Sequence, residues 1–359
     1  MPRPGALGDG PHEPTKSASD PPARPRGLLG RAVVCALFLA GLVAVDQIAG
    51  LALEWSLSRV RSGQGAGRIL AALDHADTEV LVLGSSRAYR HVDAARLGVR
   101  LRARVYNAGC PGQGLAYAYM LAGLAIERGA PIELALVHLD PEDLLVDTSS
   151  RALVFAPFAE QSQLVRSRLA RIDPTIALKL RSRSYRFNSA AVGLVRRAAS
   201  DEAPTEVLGF APRDGQISDR LAAHPPERRA PPGKLAPPGS SLEWASVGRV
   251  ALDPEMERDL ADLIAGLRER GARVLVFVGP RYRAGARPAP WETATLAAAQ
   301  ALVARAGAHF VSLDEQTHTS LADRALFYDP SHLNATGAAH LTDLLADAIV
   351  QLGLATSAQ

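Results

Sequence analysis

The chain has 359 residues, 47% hydrophobic and 21% charged, enough to bury a full α/β core and still carry appendages. Lys and Arg number 40 against 37 Asp and Glu, and the arginines are scattered rather than gathered into one stripe with interleaved aromatics, so nucleic-acid binding has little support. The two cysteines, Cys35 in an apolar run and Cys110 in a Gly-rich turn, cannot form a zinc site alone and leave the redox compartment open.

Residues 1–27 are rich in Pro, Gly, Ser, Asp and Arg with no apolar period, which predicts a disordered tail. From 28 to 53 the chain is apolar apart from Arg31 and the pair Asp46-Gln47, which predicts one membrane-spanning helix, an anchor over residues 28–54. Two rival readings fit the same run. Arg24, Arg26 and Arg31 before a short apolar stretch also suit a signal peptide, although no convincing small-residue cleavage site follows, and a buried helix of a soluble protein is the third reading. Basic residues before the run (Lys16, Arg24, Arg26, Arg31) slightly outnumber those just after it (Arg59, Arg61, Arg68), which favours a main domain outside the cytoplasm.

Residues 55–77 form a linker and helix, with the Gly-rich stretch 62–67 inside them. From 78 to 352 short apolar runs alternate with helical patterns. Strands are predicted at 79–83, 104–107, 133–139, 273–278 and 309–313, and helices at 115–128, 254–270, 291–306 and 335–352. This rhythm predicts a five-stranded, flavodoxin-like, doubly wound parallel sheet of the α/β class. Residues 144–250 are too long for one crossover and contain a Pro-rich loop at 225–238, so they predict an insertion or cap beside the active site.

Three motifs carry chemistry. Gly84-Ser85-Ser86 ends the first strand, where a doubly wound sheet places its ligands. Ser86 there opens a helix whose free N–H groups suit an attacking oxygen or an oxyanion, although a serine in that place can also simply cap the helix. Asn107-Ala108-Gly109-Cys110-Pro111-Gly112-Gln113-Gly114 ends the second strand, and its glycines let backbone N–H groups approach a ligand; a plain tight turn is the other reading. Asp329-Pro330-Ser331-His332 precedes the last helix. An aspartate three residues before a histidine can fix the imidazole tautomer and leave the other nitrogen free to take a serine proton, while Asn334 reads as the cap of the last helix.

In this order the motifs GSS, NAGCPGQG and DPSHLN resemble blocks I, II and V of the SGNH (GDSL-like) hydrolases, over about residues 78–143 and 250–352. The resemblance implies an acyl-serine mechanism with Ser86 as nucleophile, His332 as base, Asp329 as its orienting acid, and the Ser86 and Gly112 N–H groups as oxyanion donors, with no metal or organic cofactor required. The third strand departs from the pattern. It ends in His138-Leu139-Asp140-Pro141-Glu142-Asp143, without the Gly-x-Asn-Asp of block III.

GSSR, the missing block III asparagine and the apolar N-terminal run together are similar to the membrane-anchored SGNH proteins of cell-envelope modification, the DltD-like and AlgJ-like groups. That similarity implies an acyl-bearing polysaccharide or lipid as substrate and a membrane-bound O-acyltransferase as partner. The alternatives are a simple esterase, and a catalytically idle binding or docking protein of the same fold. Arg87, Asn107 and Arg281 are candidate substrate contacts by location. Tyr282 and Arg283 share that strand end. His138 reads as a packed or satisfied histidine, and His75, His91, His309 and His340 have no partners at metal spacing.

Overall fold

The computed structural model describes residues 26–61, 65–188, 190–199, 206–223, 225 and 250–355. The tail expected at residues 1–25, part of the Gly-rich linker and nearly all of the Pro-rich loop lie outside them.

Short runs dominated by Val, Leu, Phe and Ala form the strands of a sheet whose inner strands are buried on both faces. These are β1 (Val80–Leu83), β2 (Val105–Asn107), β3 (Leu134–His138), β4 (Arg273–Val278) and β5 (His309–Ser312). All are parallel, in the order β2-β1-β3-β4-β5. Alternation along each strand divides the core in two. Leu81, Leu83, Ala135, Val137, Val274 and Val276 face a cluster that includes α2 (Ala66–Asp74) and α5 (Leu115–Glu127). Val80, Val82, Leu134, Leu136, Leu275 and Phe277 face α3 (Ser86–His91) and α4 (Ala94–Leu101).

The crossover from β3 to β4 holds the insertion. Its described helices are α6 (Gln163–Ile172), α7 (Ile176–Lys179), α8 (Ala191–Ala198) and the short α9 (Asp219–Ala223), with 3-10 turns at Ser149–Phe158 and Ser184–Phe187. Phe155, Phe158, Leu169, Ile176, Phe187 and Leu194 bury into the same cluster as α2 and α5. The helical part is therefore not a cap over the strand ends: its large apolar side chains thicken the core on one face of the sheet. Among the described residues of the insertion, Arg151 and residues 206–217 are among those that reach the functional end, where Leu208 O accepts from Asn107 N (2.9 Å) and Ile217 N donates to Phe327 O (2.8 Å).

After the insertion, α10 (Pro254–Glu269) starts at an Asp253 cap with Pro254 in the first turn. Next come α11 (Pro290–Arg305) and α12 (Ala335–Gln351), and Asn334 caps α12 by accepting from Gly337 N at 3.0 Å.

At the N-terminus α1 (Arg26–Arg59) contains a stretch long and apolar enough to cross a membrane, with a mean hydropathy of 2.2. Every described side chain from 29 to 45 is exposed, and burial begins at Asp46. The chain divides there into two compact units, Met1–Val45 and Asp46–Gln359. Toward its C-terminal end α1 joins the core of the larger unit: Leu57 is buried in it, as is Val60 just beyond the helix, and Leu53 packs against it.

Candidate active site

A sharp bend takes the chain from β1 into α3. Gly84 has φ of 141°, and a Cβ there would come within about 3.0 Å of His138 and Ala88, so only glycine fits. Ser85 caps α3, accepting from Arg87 N at 3.4 Å. Ser86 is the first helical residue, half-buried, so its N–H lies in the turn that has no intrahelical acceptor.

On the far side of the sheet end, the loop before α12 is folded by the Asp329 carboxylate, which accepts from Ser331 N (2.7 Å) and His332 N (2.9 Å). His332 Nδ1 stands 2.8 Å from Asp329 Oδ2, and His332 Nε2 stands 2.9 Å from Ser86 Oγ. An ionised carboxylate only accepts, so Nδ1 carries the proton and Nε2 is left to accept the Ser86 hydroxyl. Burial disfavours the Asp329 charge, but the hydrogen bonds from the His332 ring and from the Ser331 and His332 N–H groups hold its pKa below the usual value, and the carboxylate is ionised at neutral pH. The three residues expected from two distant motifs therefore stand in one hydrogen-bonded line.

The turn after β2 is tied to this elbow. Cys110 N donates to Gly84 O at 2.9 Å, and Gly112, exposed with φ of 73°, donates to no backbone carbonyl among the described residues. Its own carbonyl accepts from Arg151 Nη1 at 3.0 Å.

The other candidates have internal roles. Asn107 is fully buried; its amide nitrogen donates to Ala88 O and Val92 O at 2.8 Å each, and its Oδ1 accepts from Gly109 N at 3.0 Å. It holds α3 against the turn and has no face for substrate. Arg87 is buried, pairs with Asp140 and donates to Pro280 O at 2.6 Å. Burial lowers its pKa to about 10, which leaves it cationic. Arg281 is also buried, bound to Asp140 at 2.5 Å and Glu142 at 2.9 Å. Arg283 bonds to Glu315 and Glu292. These arginines were candidates because they follow strand ends, but at that edge they neutralise carboxylates instead of meeting a ligand.

Asp140 stands just after β3, with Oδ2 3.4 Å from Ser85 Oγ. Burial opposes its charge, but Arg87 and Arg281 hold its pKa well below the usual range.

Two positioning residues, Arg68 and His91, escaped the sequence reading. Arg68 of α2 is almost fully buried, and its guanidinium donates to the carbonyls of Gly109, Asn107 and Gly209 and pairs with Glu206. It clamps the Gly-rich turn to residues 206–209. A lone arginine amid Ala, Ile and Leu in AGRILAALD was the available signal. His91 accepts from Leu333 N at 3.0 Å and packs edge-on against His332, with ring centroids 6.1 Å apart. His138 is buried, yet neither ring nitrogen has a hydrogen-bond partner, so it is packed but not satisfied. Burial lowers its pKa to about 3, so the ring is neutral.

No protein-family model matches the chain, and no curated protein matches its sequence. Function must therefore be argued from the site. Among the described residues no group of three His, Cys, Asp or Glu side chains is placed to hold a metal. A cavity of about 670 Å3 exists, but it is lined by Glu79, Arg102 and Arg104 at the opposite, N-terminal ends of β1 and β2. None of Ser86, His332 or Asp329 lines it.

Proposed function

We propose that the chain is an SGNH-type serine esterase or O-acyltransferase, held to a membrane by α1 with its main unit outside the cytoplasm. The observation that carries this is the unbroken line from Asp329 through His332 to Ser86 Oγ, at 2.8 and 2.9 Å. A binding module has no use for all three groups in that order. The parallel sheet, with Ser86, Gly112 and His332 at the C-terminal end of its strands, supports the resemblance to the SGNH hydrolases.

In the reaction, His332 Nε2 takes the Ser86 hydroxyl proton as Oγ attacks the acyl carbonyl carbon. The Ser86 and Gly112 N–H groups receive the oxyanion. Collapse breaks the ester C–O bond, and the proton on His332 passes to the leaving alkoxide. An acceptor hydroxyl then gives its proton to His332, attacks the acyl-serine and releases Ser86.

The chain lacks the block III asparagine, and Asp140, just after β3, supplies no donor. Losing one oxyanion donor costs about 100 to 1,000-fold in turnover in other enzymes. An enzyme selected for rapid hydrolysis would be expected to keep it, so we assign acyl transfer to a polysaccharide hydroxyl as the favoured outcome, beside a membrane-bound O-acyltransferase that supplies the acyl group.

A fluorophosphonate probe should label the chain, and Ser86→Ala should remove the label. With an activated acetyl ester, an oligosaccharide acceptor should divert acetyl into the sugar. Acetate release that the acceptor neither slows nor diverts would make the protein an esterase. No Ser86-dependent turnover or labelling would make it a binding or docking protein.

A further inference from the structure

Asp46 is the first acidic residue after the exposed apolar stretch of α1, and a loop of the insertion is fastened to it. Its carboxylate accepts from Ser182 Oγ (2.6 Å), Arg183 N (2.8 Å), Ser184 Oγ (2.5 Å) and Ser184 N (3.2 Å). One turn on, Gly50 leaves room for the Arg183 side chain, which crosses it to reach Glu54 at 2.8 Å. Residues 46, 50 and 54 lie on one helical face, so the loop is held at the place where burial begins and the apolar run ends.

The elements on either side of that loop carry large apolar side chains that are exposed among the described residues. Leu178 of α7 is 67% exposed, and Val192 and Val195 of α8 are 84% and 51% exposed. Val192, Val195 and Arg196 are spaced three and four apart, on the face away from buried Leu194, and Arg181 and Arg196 are both exposed. Exposed valines beside arginines, on a short helix that follows the loop fastened to Asp46, suit an interface where acyl chains and phosphates lie within a few ångströms of each other.

We infer that α7 and α8 form a lipid-facing collar: Leu178, Val192 and Val195 enter the membrane interface, and Arg181 and Arg196 meet anionic phospholipid headgroups. The inference rests on α1 crossing the bilayer. With the loop at 182–184 pinned to Asp46, the collar gives the main unit a second contact with the membrane and restricts its swing about the helix.

The test uses the full chain with Cys35→Ser, reconstituted into vesicles of phosphatidylcholine alone or mixed with phosphatidylglycerol. An environment-sensitive fluorophore is placed on Leu39→Cys, Val192→Cys, Val195→Cys or, as an exposed control on α4, Val99→Cys. The expected result is blue-shifted emission, quenched by lipid-borne nitroxides, at 39 in both membranes and at 192 and 195 in the anionic one. Arg181→Glu with Arg196→Glu should reverse it at 192 and 195 only, and position 99 should stay in water. A lipid signal at 39 with water-like emission at 192 and 195 in both membranes overturns the collar and leaves that face to water or a protein partner. Water-like emission at 39 overturns the span and the collar together.

Discussion

Asp329 does two jobs with one carboxylate: it folds its own loop through the Ser331 and His332 N–H groups, and it fixes the His332 tautomer. Asp329→Asn separates them. The amide oxygen can still accept from the backbone, but an amide nitrogen facing Nδ1 turns the imidazole to the tautomer that cannot take the Ser86 proton. We expect kcat to fall by about 10,000-fold, as for the same change in serine proteases, with little change in thermal stability. A fall of only a few-fold would show that His332 does not act as the base.

Asp143 lies next to this network and behaves oppositely to Asp140. Burial and the Asp140 charge raise its pKa to about 7, while its Oδ2 accepts from Asp140 N at 2.9 Å. Folding therefore tightens proton binding, so the contribution to stability is full below the ordinary value of 3.8 and is lost as pH rises through about 7. Asp143→Asn keeps an acceptor for Asp140 N and cannot ionise. Its advantage over the parent in urea midpoint should be larger at pH 8 than at pH 5. An equal difference at both would mean Asp143 does not titrate in this range.

Among the elements, the Gly-rich turn depends on a residue from another helix. Arg68 satisfies three buried carbonyls around the turn and one carboxylate. Arg68→Met fills similar volume but leaves those acceptors unpaired, at about 1–3 kcal/mol for each that water cannot reach. A loss of roughly 3 kcal/mol or more in chemical denaturation is expected, with fluorophosphonate labelling of Ser86 slowed in the fraction that stays folded. A stability change within about 0.5 kcal/mol would show that the clamp is ornamental.

The same contrast explains what could be read from the sequence. The five strands fall within a residue of their expected limits because runs such as LVL and VLVFV are buried on both faces and no local signal competes. Ser86, Asp329 and His332 are legible because Ser86 begins α3 and the other two share one short turn before α12, where local spacing places them. Arg68, His91 and Asp140 act through contacts 39 to 242 residues away, a range over which pattern carries no register. The insertion misled for a related reason: its length signals extra structure, but which face it joins is decided by where Phe155, Phe158 and Phe187 find a core.

For the whole molecule, the boundary at Asp46 has a consequence for any soluble form. Residues 46–59 continue the apolar helix but belong energetically to the main unit, since Leu57 and Val60 are buried in its larger core and Asp46 and Glu54 hold the Ser182–Ser184 loop. A fragment beginning at residue 41 keeps all of these, whereas one beginning at Arg61 removes them together. Burial of a leucine or valine side chain contributes about 1.5–3 kcal/mol. Losing Leu57 and Val60 alone therefore costs on the order of 4 kcal/mol, a large share of the roughly 5–15 kcal/mol that holds a domain folded. The longer fragment should unfold cooperatively and react with the fluorophosphonate probe as the full chain does, because Ser86, His332 and Asp329 lie wholly within the main unit. The shorter fragment should melt several degrees lower or aggregate. Equal melting temperatures would mean that residues 46–59 serve only as a membrane segment and contribute nothing to the fold.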